Sequence, residues 1–146
     1  MPRKAHRLRQ GEISAMTDII RLTAVFIRAN AGSAEAVKAA DALADMTEGS
    51  IPMEEAVYVI SGLLNRELEV RECVPNAETA FVLASLKELR KALHDGSTGS
   101  AYDIADILQA LPEKEYLSDK KAVSAFNRTY IIKFNKKHGT KLPLIV

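Results

Sequence analysis

The chain has 146 residues, 47% hydrophobic and 27% charged, with 20 basic and 19 acidic side chains and a formal charge of +1. That length suits one domain, and that balance excludes a disordered, collagen-like or membrane-embedded polypeptide. So small a net charge names no partner by itself.

Residues 1–11 read as a basic N-terminal arm, carrying Arg3, Lys4, Arg7 and Arg9, and residues 12–146 as a single helical domain. The arm leads into Gln10-Gly11-Glu12 rather than an apolar run, so no secretory leader is expected. The first helix is expected over Glu12 to Asn30, where Ile13, Met16, Ile20, Ala24 and Ile27 recur at spacings of three and four. Gly32 stops it, and Ser33 is placed to cap a second, alanine-rich helix over Ala34 to Thr47. Arg28 and Lys38 occupy positions that a helix-turn-helix keeps apolar, so the turn between these helices is not read as that motif.

A third helix begins at Ser50 with Pro52 in its first turn and continues until Pro75 breaks it, striped by Val57, Ile60, Leu64 and Leu68. Asn76 caps a fourth, to about His94, with Val82, Leu86, Leu89 and Leu93 on one face. Asp95 to Gly99 reads as a flexible loop. Ser100 then caps a short fifth helix over Ala101 to Leu111, stopped by Pro112. Ser118 caps the last, which ends at about Lys137 before His138-Gly139. The tail Leu142-Pro143-Leu144-Ile145-Val146 is apolar and either folds back on the helices or docks on a partner. The expected fold is therefore all-α: a single-domain bundle of about six helices with short loops and an apolar C-terminal tail.

Reactive groups are sparse. Cys73 is the only cysteine; it falls near the end of an apolar-striped helix and reads as a packed thiol rather than a nucleophile. His94 and His138 precede glycines and read as helix ends. His94 with Asp95 has the composition of a base and its orienting carboxylate, but no nucleophile with a recognisable motif accompanies the pair. No CxxC or HExxH pattern occurs, so no metal, cofactor or catalytic residue is assigned. No run of about 18 apolar residues occurs, so no membrane association is expected, and the expected location is cytoplasmic.

Charge is segregated along the chain. Residues 31–60 carry −5 and residues 96–119 carry −4, whereas residues 1–10 carry +4 and residues 120–146 carry +7 with no acid. Asp41, Asp45 and Glu48 form a like-charge row at i, i+4 and i+7, and opposite charge from elsewhere would relieve it. Together with Asp103 and Asp106 they are the expected contact for a basic protein partner. The function expected from this pattern is a small non-catalytic protein-binding module. Its specific form is an immunity- or antitoxin-like inhibitor that occludes a basic toxin by charge complementarity. The alternative is nucleic-acid binding through Arg3, Lys4, Arg7 and Arg9 together with Lys121, Arg128 and Lys136. At roughly 100° per residue the last three lie within about 80° of one another.

Overall fold

The computed structural model describes residues 12–72, 79–112 and 119–145. Within them the chain is helical. The helices are α1 (Met16–Ala29), α2 (Ala34–Glu48), α3 (Met53–Leu64), α4 (Thr79–Asp95) and α5 (Thr98–Gln109), followed by a final rod. That rod comprises α6 (Lys120–Phe126), a π-helical segment (Asn127–Ile132) and α7 (Lys133–His138), and the backbone stays right-handed helical at both junctions.

Two short strands depart from the sequence expectation. Glu12–Ala15 forms β1 instead of the first turn of a helix, and Leu68–Glu72 forms β2 instead of the end of the third helix. They pair in parallel, Glu12 against Leu68 and Ser14 against Val70, with an irregularity between Ser14 and Ala15. The third helix stops early because Asn65 takes the left-handed conformation at φ 56°. Its N–H bonds to Gly62 and that of Arg66 to Ser61, which closes the helix end. The expected stop at Pro75, the cap at Asn76 and the thiol of Cys73 lie outside the described residues.

The core is built around α2. Ser33 caps it by accepting from the Ala36 N–H at 3.2 Å, and Gly49 ends it in the left-handed conformation. Ala36, Ala39, Ala40, Leu43 and Ala44 are fully buried, so α2 offers α3 and α4 a surface of small side chains that permits close approach. Larger side chains from the neighbours fill the remaining space: Ile60 from α3, Phe81, Leu86 and Leu89 from α4, and Ile104 and Leu108 from α5. Asp95 to Gly99 is a tight turn rather than a loop. Gly96 takes φ 77°, Ser97 donates to the Ala92 carbonyl at 2.8 Å, and α5 already begins at Thr98.

Asp119 starts the final rod, its Oδ1 accepting from the N–H groups of Lys121 and Ala122. The cap expected at Ser118 lies outside the described residues. Phe126 stacks edge-on against Phe81 of α4, with ring centroids 6.0 Å apart, and lies 5.0 Å from Tyr130. Gly139 then reverses the chain, and the tail folds back along the rod. Two carboxamides hold it. Asn127 donates to the Ile145 carbonyl at 2.9 Å and accepts from the Ile145 N–H at 3.0 Å. Asn135 does the same for Leu142, at 3.0 and 2.9 Å. Leu142 and Ile145 are thereby buried, while Leu144 points outward.

Asn127 is itself buried, so Asn127→Ala strands the two peptide groups of Ile145 in apolar surroundings. The expected loss is about 2–3 kcal/mol, read as a lower urea midpoint at unchanged slope. Lys133→Ala, which removes an exposed side chain of the same rod, should stay within about 0.5 kcal/mol of the parent.

Candidate functional site

Of the five carboxylates expected to face a partner, Asp45, Glu48, Asp103 and Asp106 meet a cationic side chain within the molecule, whereas Asp41 Oδ1 is buried without a hydrogen bond. On α2, Asp45 pairs with Arg90 of α4 at 3.1 Å, and Glu48 lies 4.0 Å from the same guanidinium. Asp41 lies 3.5 Å from His94 Nε2 without hydrogen-bond geometry, although that carboxylate oxygen is buried. The pairs run in antiparallel order, 41 with 94 and 45 with 90, as the packing of α2 on α4 requires. On α5, Asp106 receives both Nε and Nη2 of Arg28, at 2.6 and 3.5 Å, and that guanidinium also lies over the Tyr102 ring. The hydrogen bond and charge of Asp106 hold Arg28 above its ordinary range.

Asp103 belongs to the one assembly of reactive groups brought together among the described residues. Its Oδ2 lies 2.7 Å from His138 Nε2 and 3.0 Å from Lys137 Nζ, while Ser100 Oγ lies 3.2 Å from His138 Nδ1. Serine, histidine and aspartate thus form a chain. However, the serine meets Nδ1, the ring nitrogen crowded by the histidine's own main chain, and the imidazole packs against Phe134 at 4.4 Å. The arrangement ties the start of α5 to the end of α7. His94 pairs with Asp41 rather than with its neighbour Asp95, so the base-and-orienter arrangement is not assembled there.

An open concavity of about 370 Å³ lies elsewhere, lined by Asp18, Arg21, Leu22 and Val25 of α1 and by Gln109, Ala110 and Leu111. Arg21 donates to the Leu111 carbonyl and pairs with Asp18 at 3.2 Å. Among the described residues, no serine, cysteine, histidine or lysine lines it. Among the described residues no three of His, Cys, Asp or Glu converge to hold a metal ion, and no helix is long and apolar enough to cross a membrane.

The final rod is different in kind. Residues 120–146 carry seven basic side chains and no acid, and among the described residues the carboxylate contacts of the rod are those of Lys137 and His138 with Asp103. Lys120, Lys121, Arg128, Lys133, Lys136 and Lys141 are all exposed. Arg128 is held by a hydrogen bond from its Nη1 to Ser124 Oγ at 2.9 Å. The π-helical segment sets this face. At a uniform 100° per residue, Lys133 and Lys137 would lie about 120° and 160° from Lys121, next to Phe126 at about 140°. A π turn takes more residues per turn, so the helix after Ile132 lags. Lys133 is exposed, while Phe126, Ile131 and Phe134 stay buried.

Lys121, Arg128 and Lys136 are each exposed, and so is Lys133. Periodicity alone missed Lys133 because it assumes uniform rotation. It also missed Asn127 and Asn135, because uniform rotation places Asn135 only about 20° from Arg128, on the basic side. Arg3, Lys4, Arg7 and Arg9 lie outside the described residues. Among known protein families, curated proteins and solved structures, none matches this chain.

Burial alone raises the Asp103 carboxyl. The hydrogen bonds from His138 and Lys137, together with the charge of Lys137, outweigh it and hold the group below the usual carboxylate range. A depressed folded value contributes stability above the unfolded value, near about 3.9, and that stability disappears as pH falls through the folded one. Asp103→Asn should therefore lower the urea midpoint at neutral pH, with the gap from the parent narrowing towards about pH 3. A gap that stays constant with pH would show that the carboxylate charge contributes nothing.

Proposed function

We propose that the protein binds the phosphate backbone of double-stranded nucleic acid through the exposed face of its final rod. The observation that supports this is the row of exposed cations from Lys120 to Lys136, extended by Lys141, which have no carboxylate partner among the described residues. From Lys120 to Lys136 the row spans about 24 Å at helical rise, and one duplex strand presents a phosphate about every 3.4 Å. Arg128 supplies a planar, permanently charged fork, and the hydroxyls of Ser124 and Thr129 on the exposed side add donors for phosphate oxygens. Duplex is favoured over single strands because the aromatics of the rod face inward. Phe126 and Phe134 are buried and Tyr130 is half-buried, so bases find no stacking platform there.

Occlusion of a basic partner by Asp41, Asp45, Glu48, Asp103 and Asp106, in the manner of an immunity protein or antitoxin, is a weaker reading. Those carboxylates would first have to leave Arg90, His94, Arg28, Lys137 and His138. The cations from Lys120 to Lys136 have no such partner to leave among the described residues.

Titration of labelled duplex should give an affinity that falls steeply with salt, with a log–log slope of about −3.6 to −5.4 for about four to six phosphate contacts. Arg128→Ala, Lys133→Ala and Lys136→Ala combined should flatten that slope by about 2.7, at about 0.9 per contact, and weaken binding equally for unrelated sequences. A single strand of equal length should bind less tightly. Absence of duplex binding at about 50 mM salt, where exposed charges are least screened, ends this reading.

A further inference from the structure

The outer face of α3 is the acidic surface left unneutralised beside exposed apolar groups. At about 100° per residue, Glu54, Tyr58, Gly62, Glu55 and Val59 fall in an arc of about 140°, opposite the buried Ala56, Val57 and Ile60. Tyr58 is 80% exposed and Val59 37%. The helix carries no cation, and neither Glu54 nor Glu55 has an ion-pair partner among the described residues. A protruding tyrosine beside a valine offers a large contact area with few rotors to freeze, the side-chain type that anchors protein interfaces.

The chain itself carries the matching surface. On the final rod, Ile132 is 46% exposed in the middle of the cation row. Two carboxylates flanking an aromatic would thus face cations flanking an aliphatic side chain. Within one molecule α3 packs on α1, α2 and β2, whereas the rod sits against Phe81 of α4 and against α5. The two faces can therefore meet only between copies.

We propose that the outer face of α3 docks the basic final rod of a second copy of this chain. The two patches differ, so the contact is heterologous and propagates unless the rotation between copies closes a ring. It uses the same cations that are assigned above to nucleic acid, so duplex and self-association exclude each other. That exclusion, unlike the docking itself, rests on the nucleic-acid reading.

Sedimentation tests the docking. The parent's average mass should rise between about 10 and about 500 µM protein at low salt, as weak interfaces do, and return to that of a monomer at about 500 mM salt. The charge reversal Glu54→Lys with Glu55→Lys, and separately Lys133→Glu with Lys136→Glu, should each abolish the rise while circular dichroism stays unchanged. An equimolar mixture of the two variants should associate again, since each restores the complement of the other. Tyr58→Ala should weaken self-association about tenfold, as loss of an interface anchor does, and leave duplex affinity untouched at concentrations where the parent is a monomer. A parent that stays monomeric throughout overturns the proposal. So does a mixture that fails to associate, or a Tyr58→Ala chain that associates as well as the parent and so reduces the attraction to bulk charge. Self-association without duplex binding removes only the nucleic-acid reading. Duplex binding by a strictly monomeric chain removes only the docking.

Discussion

The final rod is anchored by neutral groups, and that is what allows its outer face to stay positively charged. Asn127 and Asn135 each offer a donor and an acceptor to one residue of the returning tail, in the manner of two rungs of a β-ladder. Phe126, Ile131 and Phe134 supply the apolar contact beneath. Had the rod been fastened by ion pairs along its length, carboxylates would sit among its lysines and cancel their field. Amides satisfy the buried peptide groups without adding charge. Asp103 is the exception, and it sits at the far end, where Lys137 and His138 close onto α5.

A formal charge of +1 conceals this asymmetry. The acidic row on α2 would repel itself on an isolated helix, and antiparallel packing on α4 places Arg90 and His94 against it. Asp106 is answered by Arg28 across the contact between α1 and α5. These pairs are partly exposed, so each adds little stability. Their larger consequence is electrostatic, because carboxylates paired with Arg90 and Arg28 offset the cations of the rod less than free ones would.

How far the sequence revealed this depends on whether a feature is local. The caps at Ser33 and Gly49, the stop at Gly139 and the stripes Ile20-Ala24-Ile27 and Leu86-Leu89 follow from spacing and backbone preference, and the helices stand where those signals placed them. Leu68–Glu72 alternates apolar and charged residues. Yet Ile60, Leu64 and Leu68 also keep helical spacing, and the period-three-to-four signal masked the strand beyond Asn65. Its pairing with β1 joins segments more than fifty positions apart, beyond any window of local periodicity. The same limit applies to the acidic residues. Their row on α2 was visible, but Arg90 lies 45 positions from Asp45, and Arg28 lies 78 from Asp106. Read one segment at a time, they looked available. The π-helical segment was hidden for another reason: it changes the rotation that the reading presupposed.

One cation row cannot be neutralised twice, and the two surfaces offered to it differ in strength and in kind. Over about 24 Å of rod, one duplex strand presents about seven phosphates, whereas α3 offers two carboxylates, Glu54 and Glu55. Counterion release therefore favours the polyphosphate by number, and most strongly at low salt. The contact with α3 adds Tyr58 and Val59 against Ile132, an apolar contribution that salt does not screen. Raising the salt thus erodes duplex binding faster than docking between copies, although both lose their charged component. By linkage, each copy held on α3 lowers the affinity of its rod for nucleic acid by the same factor that nucleic acid lowers docking. Under the two proposals together, this basic face would have two mutually exclusive states, assembled when nucleic acid is scarce and dispersed along it when it is abundant.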